Sequence, residues 1–439
     1  MMLYGTSTIQ PNGHLEIGGV DTVSLANQFG TPLYVYDVAH MRAQARAFKQ
    51  AFIENNVAGQ VAYASKAFSC VAMVQLIEEE GLNLDVVSGG ELYTALSAGF
   101  PPERIHFHGN NKSPEEIDMA VKANIACFIA DNFQELRLLE EASQGNGVKI
   151  NVLLRTTPGI KAHTHEYIAT GQEDSKFGFD LESGQVYEAL KYVLDHEAFE
   201  CLGLHCHIGS QIFDANAFEV AVDKIYHELE KRRDDLGFVP EVLNLGGGFG
   251  IRYVEGDSAQ PPEKYVDKMI AAVKKQSSRL GFRVPEIWIE PGRSIVGNAG
   301  TTLYTVGSQK EIPNVRRYLA VDGGMSDNLR PALYDAKYEG ILANRGWDRN
   351  NQTVSVAGKC CETGDMLIWD LSLPDVRPND LLAVFSTGAY GYSMSNNYNR
   401  IPRPAVVFVE GGEARLVVRR ETYEDLVQLD LPLKEPVIR

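Results

Sequence analysis

A (β/α)8 barrel joined to an all-β domain is the architecture that this sequence predicts, on three observations. Between residues 61 and 290, eight short runs of β-branched or apolar residues alternate with longer stretches whose apolar residues recur at helical spacing. After residue 300 the rhythm changes to short strand-like runs separated by turn residues, with little helical pattern. Residues capable of chemistry also gather where the eight runs end, and barrel enzymes carry their sites at the C-terminal ends of their strands.

The elements follow in order. Near the N-terminus, "HLEIGG" and "PLYVYD" are strand-like, and we expect them to pair with the C-terminal domain. The barrel runs are "VAYA" (61–64), "NLDVV" (83–87), "RIHF" (104–107) and "CFIA" (127–130), followed by "INVLLR" (150–155), "LGLHCH" (202–207), "VLNL" (242–245) and "IWIE" (287–290). Between them, stretches such as "FSCVAMVQLIEEEG" and "ELYTALSAG" carry a helical apolar stripe and a glycine stop. A doubly wound open sheet competes on strand count alone. The runs "TTLYTVGSQ", "RRYLAVDGG", "TVSVAGK", "DLLAVFSTG" and "PAVVFVEGGEARLVVRRE" make up the β domain. The expected boundaries are 37–299 for the barrel, with 1–36 and 300–439 forming the β domain.

Composition removes several classes of function. A net charge of -17 over 439 residues argues against nucleic acid or an anionic membrane surface as partner. No basic stretch followed by an apolar one opens the chain, and no apolar run approaches the ~20 residues that span a bilayer. Six cysteines are too sparse for a disulfide scaffold. A cytoplasmic protein is expected.

The strand-end residues define a candidate site. Lys66 follows the first run, Ser88 the second and His108 the third; Arg155 ends the fifth. "HCHIGSQ" (205–211) ends the sixth, "GGGFG" (246–250) follows the seventh and "EPGR" (290–293) closes the eighth. The glycine run is neither a dinucleotide fingerprint nor a Walker loop, because no Lys-Ser/Thr follows it. It does expose backbone N–H groups to which a phosphate can come close, though a tight turn is the plain alternative. Lys66 leaves a core strand with no acidic neighbour in sequence, so we expect its amine to lie in an apolar setting, available as a nucleophile. A solvent-facing lysine is the alternative there. An amine and a phosphate loop at one barrel mouth suggest pyridoxal 5'-phosphate held as a Schiff base. Glu290 would keep the cofactor's ring nitrogen protonated, and Arg293 can pair with a phosphate or a carboxylate. Cys201, His205, Cys206 and His207 crowd together as metal ligands would, but neighbours on a strand face opposite ways. No metal is expected, and an imidazole stacked on the cofactor ring suits His207 better.

Taken together, "YASKAF", "HCHIGSQ", "NLGGGFG", "EPGR", "CCETGD" and "TGAYGYSM" resemble the ordered motifs of the diaminopimelate decarboxylases, over nearly the whole chain. That resemblance implies a pyridoxal phosphate enzyme of lysine biosynthesis, a homodimer whose sites form at the interface, turning meso-2,6-diaminopimelate into L-lysine and CO2. It implies Lys66 as the Schiff-base lysine, His207 on the ring and Glu290 at the ring nitrogen. Ser210, Gly247, Gly248, Pro291, Gly292, Arg293 and Tyr390 would hold the cofactor. Arg293, Arg330, Tyr334, Glu362 and Tyr390 would hold the substrate, and Cys361 would be the proton donor, reaching across from the partner subunit with Glu362. One departure is Phe68, in "KAF" where many relatives have "KAN"; it should alter the surroundings of the lysine and leave the chemistry intact.

The residues lend separate support. In "RPALYDAKY", Arg330 and Tyr334 are four apart and would meet on one face of a helix. Cys360 and Cys361 are adjacent, and composition does not choose between them. "AHTHEYIATGQEDSKFGF" (162–179) reads as a lid over the mouth or as an ordinary long loop. Competing activities are decarboxylation of ornithine, arginine or carboxynorspermidine, or a non-catalytic pyridoxal phosphate-binding regulator. Alanine racemase shares the fold type, but its ring nitrogen typically faces an arginine, against Glu290.

Overall fold

Eight parallel strands close on themselves in the computed structural model, which describes residues 3–160 and 175–433. They are β1 (Gly59–Ala64), β2 (Asn83–Val86), β3 (Ile105–Phe107), β4 (Cys127–Ala130), β5 (Ile150–Thr157), β6 (Phe199–Cys206), β7 (Val242–Asn244) and β8 (Glu286–Ile289). Neighbours in sequence pair in space, and β8 returns to β1 with Ile289 opposite Val61, which makes a barrel of the sheet. The open-sheet alternative is thereby excluded. The strands are fully or mostly buried, as parallel strands under a layer of helices must be. One cluster of that interior joins Cys127, Ile129, Leu153, Val242 and Trp288.

The intervening helices start and stop where the sequence says they should. Val71–Glu79 and Gly89–Ser97 each end two residues before a glycine in the left-handed region, Gly81 and Gly99. Ser88 N-caps the second of these by accepting from Glu91 N at 3.2 Å, so at that strand end the residue is structural. Pro114–Ala123 opens with a reciprocal capping box between Ser113 and Glu116.

The chain divides into two compact units: residues 41–252 with 256–297, and residues 1–40 with 253–255 and 298–439. The second unit is built on a long strand, Gly300–Ile312, whose buried first half pairs with Leu33–Asp37 on one side and Leu381–Phe385 on the other. Leu33–Asp37 also pairs in parallel with Ala405–Glu410, so "PLYVYD" is a central strand of this sheet. "HLEIGG" takes a different course. Its Leu15–Ile17 strand joins a separate three-stranded sheet with Thr8–Ile9 and Val20–Asp21. The turn at Gly18 and Gly19, both with positive φ, folds that strand back on its neighbour, while Leu15 and Ile17 still enter the core around Val35, Leu303 and Val407.

Candidate active site

The strand ends bring a set of polar side chains to one mouth of the barrel. Lys66 lies in a single turn of 3-10 helix, Ser65–Ala67, directly after β1. It is exposed, not enclosed in apolar surroundings: the turn lifts it clear of the core, while Ala64 and Ala67 on either side stay buried. Its charge is felt by Asp85, Glu91, His205 and His207, so acidic groups distant in sequence are close in space. Phe68 is fully buried and its carbonyl accepts from Tyr63 Oη at 2.8 Å, which gives the aromatic residue a packing role beneath the lysine turn.

Glu290, just past β8, gathers three close partners. Asn244 Nδ2 donates to Oε1 at 2.6 Å, His205 Nε2 lies 3.2 Å from Oε2, and His108 Nε2 lies 3.0 Å from Oε1. Burial alone would raise the Glu290 carboxyl, but His108 and His205 outweigh it and hold the group well below the usual carboxylate range. Asp85 is a buried carboxylate 3.6 Å from the same His108 nitrogen. There burial wins, with Glu290 adding to it against the pull of His108, and Asp85 is pushed up to about 6. These neighbouring carboxyls are thus held in opposite directions.

The loops after β6, β7 and β8 interlock. Gly247 N donates to His207 Nδ1 at 3.2 Å, and Gly246 N to the Asn244 side-chain oxygen at 2.9 Å. A Cβ on Gly247 would collide with the Glu290 carbonyl, and one on Gly248 with the Gly209 carbonyl; Gly248 also has φ +97°. Pro291 O accepts from Ala64 N at 3.2 Å, and a Cβ on Gly292 would press on Ala64 and Ala67, so the "EPGR" turn lies against the lysine turn. Arg293 Nη2 donates to Ser210 Oγ at 2.8 Å. His207 is kept neutral by burial first, then by the positive charges of Lys66 and Arg155. A neutral imidazole suits a face laid on an aromatic ring. The donor set fits pyridoxal phosphate: an amine for the aldehyde, an ionised carboxylate for a protonated ring nitrogen, and a glycine cradle with a hydroxyl and a guanidinium for the phosphate.

The β unit holds a second group of candidate residues. Arg330 begins a short helix, Arg330–Tyr334, and is 7% exposed. Its guanidinium donates to Tyr338 Oη at 2.7 Å and lies 4.9 Å over the Tyr253 ring. The phenol paired with Arg330 is therefore Tyr338 and not Tyr334. Asp335, with φ +51°, ends the helix after five residues and turns the chain so that Tyr338 comes back to the arginine. Burial would lower the Arg330 pKa, but the phenols of Tyr253, Tyr338 and Tyr390 reverse this and raise it. Tyr390 itself is a non-glycine residue at φ +61°.

In "CCETGD", Cys360 is buried and its thiol is raised by burial and then by Asp365. Cys361 and Glu362 are exposed. Asp365 accepts from Met325 N at 2.6 Å and from Cys360 N at 2.7 Å, tying the cysteine loop to the loop that leads into Arg330. The lid expected over 162–179 falls mostly outside the described residues. Tyr253, Tyr338, Asn244, His205 and Asp85 were not among the residues expected to hold ligand, although Asn244 and His205 lie within two of the motifs.

The barrel region, residues 38–297, matches the pyridoxal-binding domain of the pyridoxal-dependent decarboxylases. The chain is 66% identical over 437 residues to a diaminopimelate decarboxylase of Bacillus subtilis, covering all of both chains, and 48% identical to that of Staphylococcus aureus, covering 95% and 97%. Among solved structures, a diaminopimelate decarboxylase of M. jannaschii in complex with L-lysine superposes with a TM-score of 0.92 at 37% identity, covering 98% of this chain and 99% of that one. No helix among the described residues is long and apolar enough to cross a membrane.

Proposed function

The chain belongs to the diaminopimelate decarboxylase family of pyridoxal-dependent decarboxylases, and from that premise we propose that it converts meso-2,6-diaminopimelate to L-lysine and CO2. The observation that carries the substrate reading is Arg330, a buried cation whose chief partners are phenols and not a carboxylate. A buried charge without a counter-ion is costly. A substrate whose far end carries a carboxylate would supply one.

Pyridoxal phosphate, when bound, supplies an electron sink for the carbanion left when CO2 departs. Lys66 is the amine that would tether it. Glu290 stays ionised and would keep the ring nitrogen protonated, while His207, neutral, would cover one face of the ring. Ser210, Gly247, Gly248 and the Pro291–Arg293 turn would hold the phosphate end, with Tyr390 also touching cofactor and substrate. Arg330 would take the distal carboxylate, with Tyr334 and Arg293 nearby in role, and Glu362 the distal ammonium. The bond to the α-carboxylate breaks, CO2 leaves, and Cys361 returns a proton to the same carbon. Exposure favours Cys361 over the buried Cys360 for that step. Because Cys361 and Glu362 are exposed in this chain, we propose a homodimer in which they complete the partner's site.

Reduction of the holoprotein with borohydride followed by peptide mapping tests the cofactor site. The pyridoxyl group should be found on Lys66, and a label on any other lysine would overturn the assignment.

A further inference from the structure

His205 lies in the cysteine- and histidine-rich run that ends β6, and the chemistry above gives it no task. It is fully buried at the end of β6. Its Nε2 faces Glu290 Oε2 at 3.2 Å, while its Nδ1 is buried with no hydrogen-bond partner among the described residues. A charged imidazolium would leave an N–H on Nδ1 orphaned in the interior, a substantial penalty. The ring is therefore neutral with its one proton on Nε2, where it donates to Glu290. Burial, the largest influence on this ring, points the same way and lowers its pKa.

From β7, Asn244 donates to the other carboxylate oxygen at 2.6 Å, and its own carbonyl is engaged by Gly246 N, which fixes the direction of the amide. His108 adds a third contact at 3.0 Å, but its nitrogen is off the axis of a directed hydrogen bond. Two directed donors, one on each oxygen, therefore lock the plane of the Glu290 carboxylate. In the barrel's register His205 sits opposite Asn244, and Asn244 opposite Trp288, so adjacent strands aim both donors at one point.

We propose that His205, with Asn244, is the positioning residue for Glu290: it holds the carboxylate in the one orientation that leaves acceptor capacity for the cofactor's ring nitrogen. This inference rests on the reading that Glu290 meets that nitrogen. His205 touches neither cofactor nor substrate in this role. Its effect should therefore appear as discrimination between a ring with nitrogen and a ring without it.

The test is a binding comparison on the full-length chain stripped of cofactor and titrated with pyridoxal 5'-phosphate or with its carba analogue, in which C–H replaces the ring nitrogen. The wild-type protein should bind pyridoxal phosphate at least about tenfold more tightly than the analogue, the scale of one hydrogen bond to a charged group. His205→Met should bring that ratio to within about twofold. His205→Gln, whose amide N–H can occupy the position of Nε2–H, should retain the ratio, and His205→Asn, whose amide falls short, should lose it. The Gln and Asn pair carries the test if the Met variant does not fold. An unchanged ratio in the Met or Asn variant, or an equal loss of affinity for both ligands, overturns the proposal and leaves His205 a packing residue. No discrimination by the wild-type protein would remove the Glu290 reading itself. Failure of the wild-type protein to bind pyridoxal phosphate would remove the cofactor assignment, so the two failures are separable.

Discussion

Glu290 in the barrel and Arg330 in the β unit are both buried ions, 7% exposed each, yet their surroundings are built on opposite principles. Around Glu290 the chain supplies two directed donors and a third close imidazole, so its charge is stabilised within the barrel unit. Around Arg330 it supplies aromatic faces and phenols and, among the described residues, leaves the positive charge without a matching negative one. The contrast supports the roles proposed for the two ions. A carboxylate satisfied in advance suits a fixed electrostatic element for a resident cofactor. A guanidinium left short of an anion suits a receptor for one that a substrate brings and a product takes away.

Substitution at each ion tests that contrast, and the largest effect is expected on catalysis. Arg330→Ala should lower kcat/KM for meso-diaminopimelate by about 10²-fold, equivalent to about 3 kcal/mol. It should cost the ligand-free protein only the contacts to Tyr338 and Tyr253, since among the described residues no ion pair is broken. Glu290→Leu should do the reverse to the ligand-free protein. It orphans the Asn244 and His205 donors, and urea unfolding should show a loss of about 2–3 kcal/mol. Equal stability losses in the two variants would break the contrast.

A second test concerns the exposed pair Cys361 and Glu362. If they serve the partner's site, mixing inactive Lys66→Ala and Cys361→Ala chains should restore activity. Random exchange makes half the dimers mixed, each with one intact site, so about a quarter of wild-type activity should return. No recovery after verified subunit exchange would mean that each chain completes its own site.

A separate test concerns a buried acid outside the reacting groups. Asp327 is pushed up from the ordinary 3.8 to about 7, by burial first and by the charges of Asp365 and Asp322, against the hydrogen bonds it accepts from Tyr304 and Gly324. Its folded pKa lies above its unfolded one, so the folded state keeps a proton that the unfolded state has already released. Stability from this group is present below pH 3.8 and is lost as pH rises towards 7, by at most about 1.4 kcal/mol per pH unit. Asp327→Asn should flatten the fall in stability between pH 4 and 7 relative to wild type in denaturant titrations. Parallel wild-type and variant curves would show that Asp327 does not titrate there.

Much of this was legible in the chain because it is local. Each of the eight barrel runs coincides with a strand to within a few residues, since a buried parallel strand needs an unbroken apolar run and a glycine or polar stop. Lys66, His207, Glu290 and Arg293 fell at strand ends for the same reason. What escaped was long-range or conformational. The convergence of His108, His205 and Asn244 on Glu290 depends on barrel closure and register, which no spacing in the sequence encodes. The pairing of Arg330 with Tyr338 depends on the positive φ at Asp335, which cuts short the helix that would have favoured Tyr334. Exposure of Lys66 reflects one turn of 3-10 helix at the end of a strand that is otherwise core.

The amino acid decarboxylated is one whose far end is itself a second amino acid head group. Release of labelled CO2 from meso-diaminopimelate labelled in both carboxylates, and from L-lysine and L-ornithine labelled in their single carboxylate, tests this most directly. With their α-amine placed at the cofactor as substrates, lysine and ornithine present no carboxylate at the far end and would leave Arg330 buried and unpaired, a defect that can cost such analogues roughly 10⁴-fold or more. Rapid release from diaminopimelate with stoichiometric L-lysine is expected, and negligible release from the other two. Release from lysine or ornithine as fast as from diaminopimelate would contradict this substrate assignment.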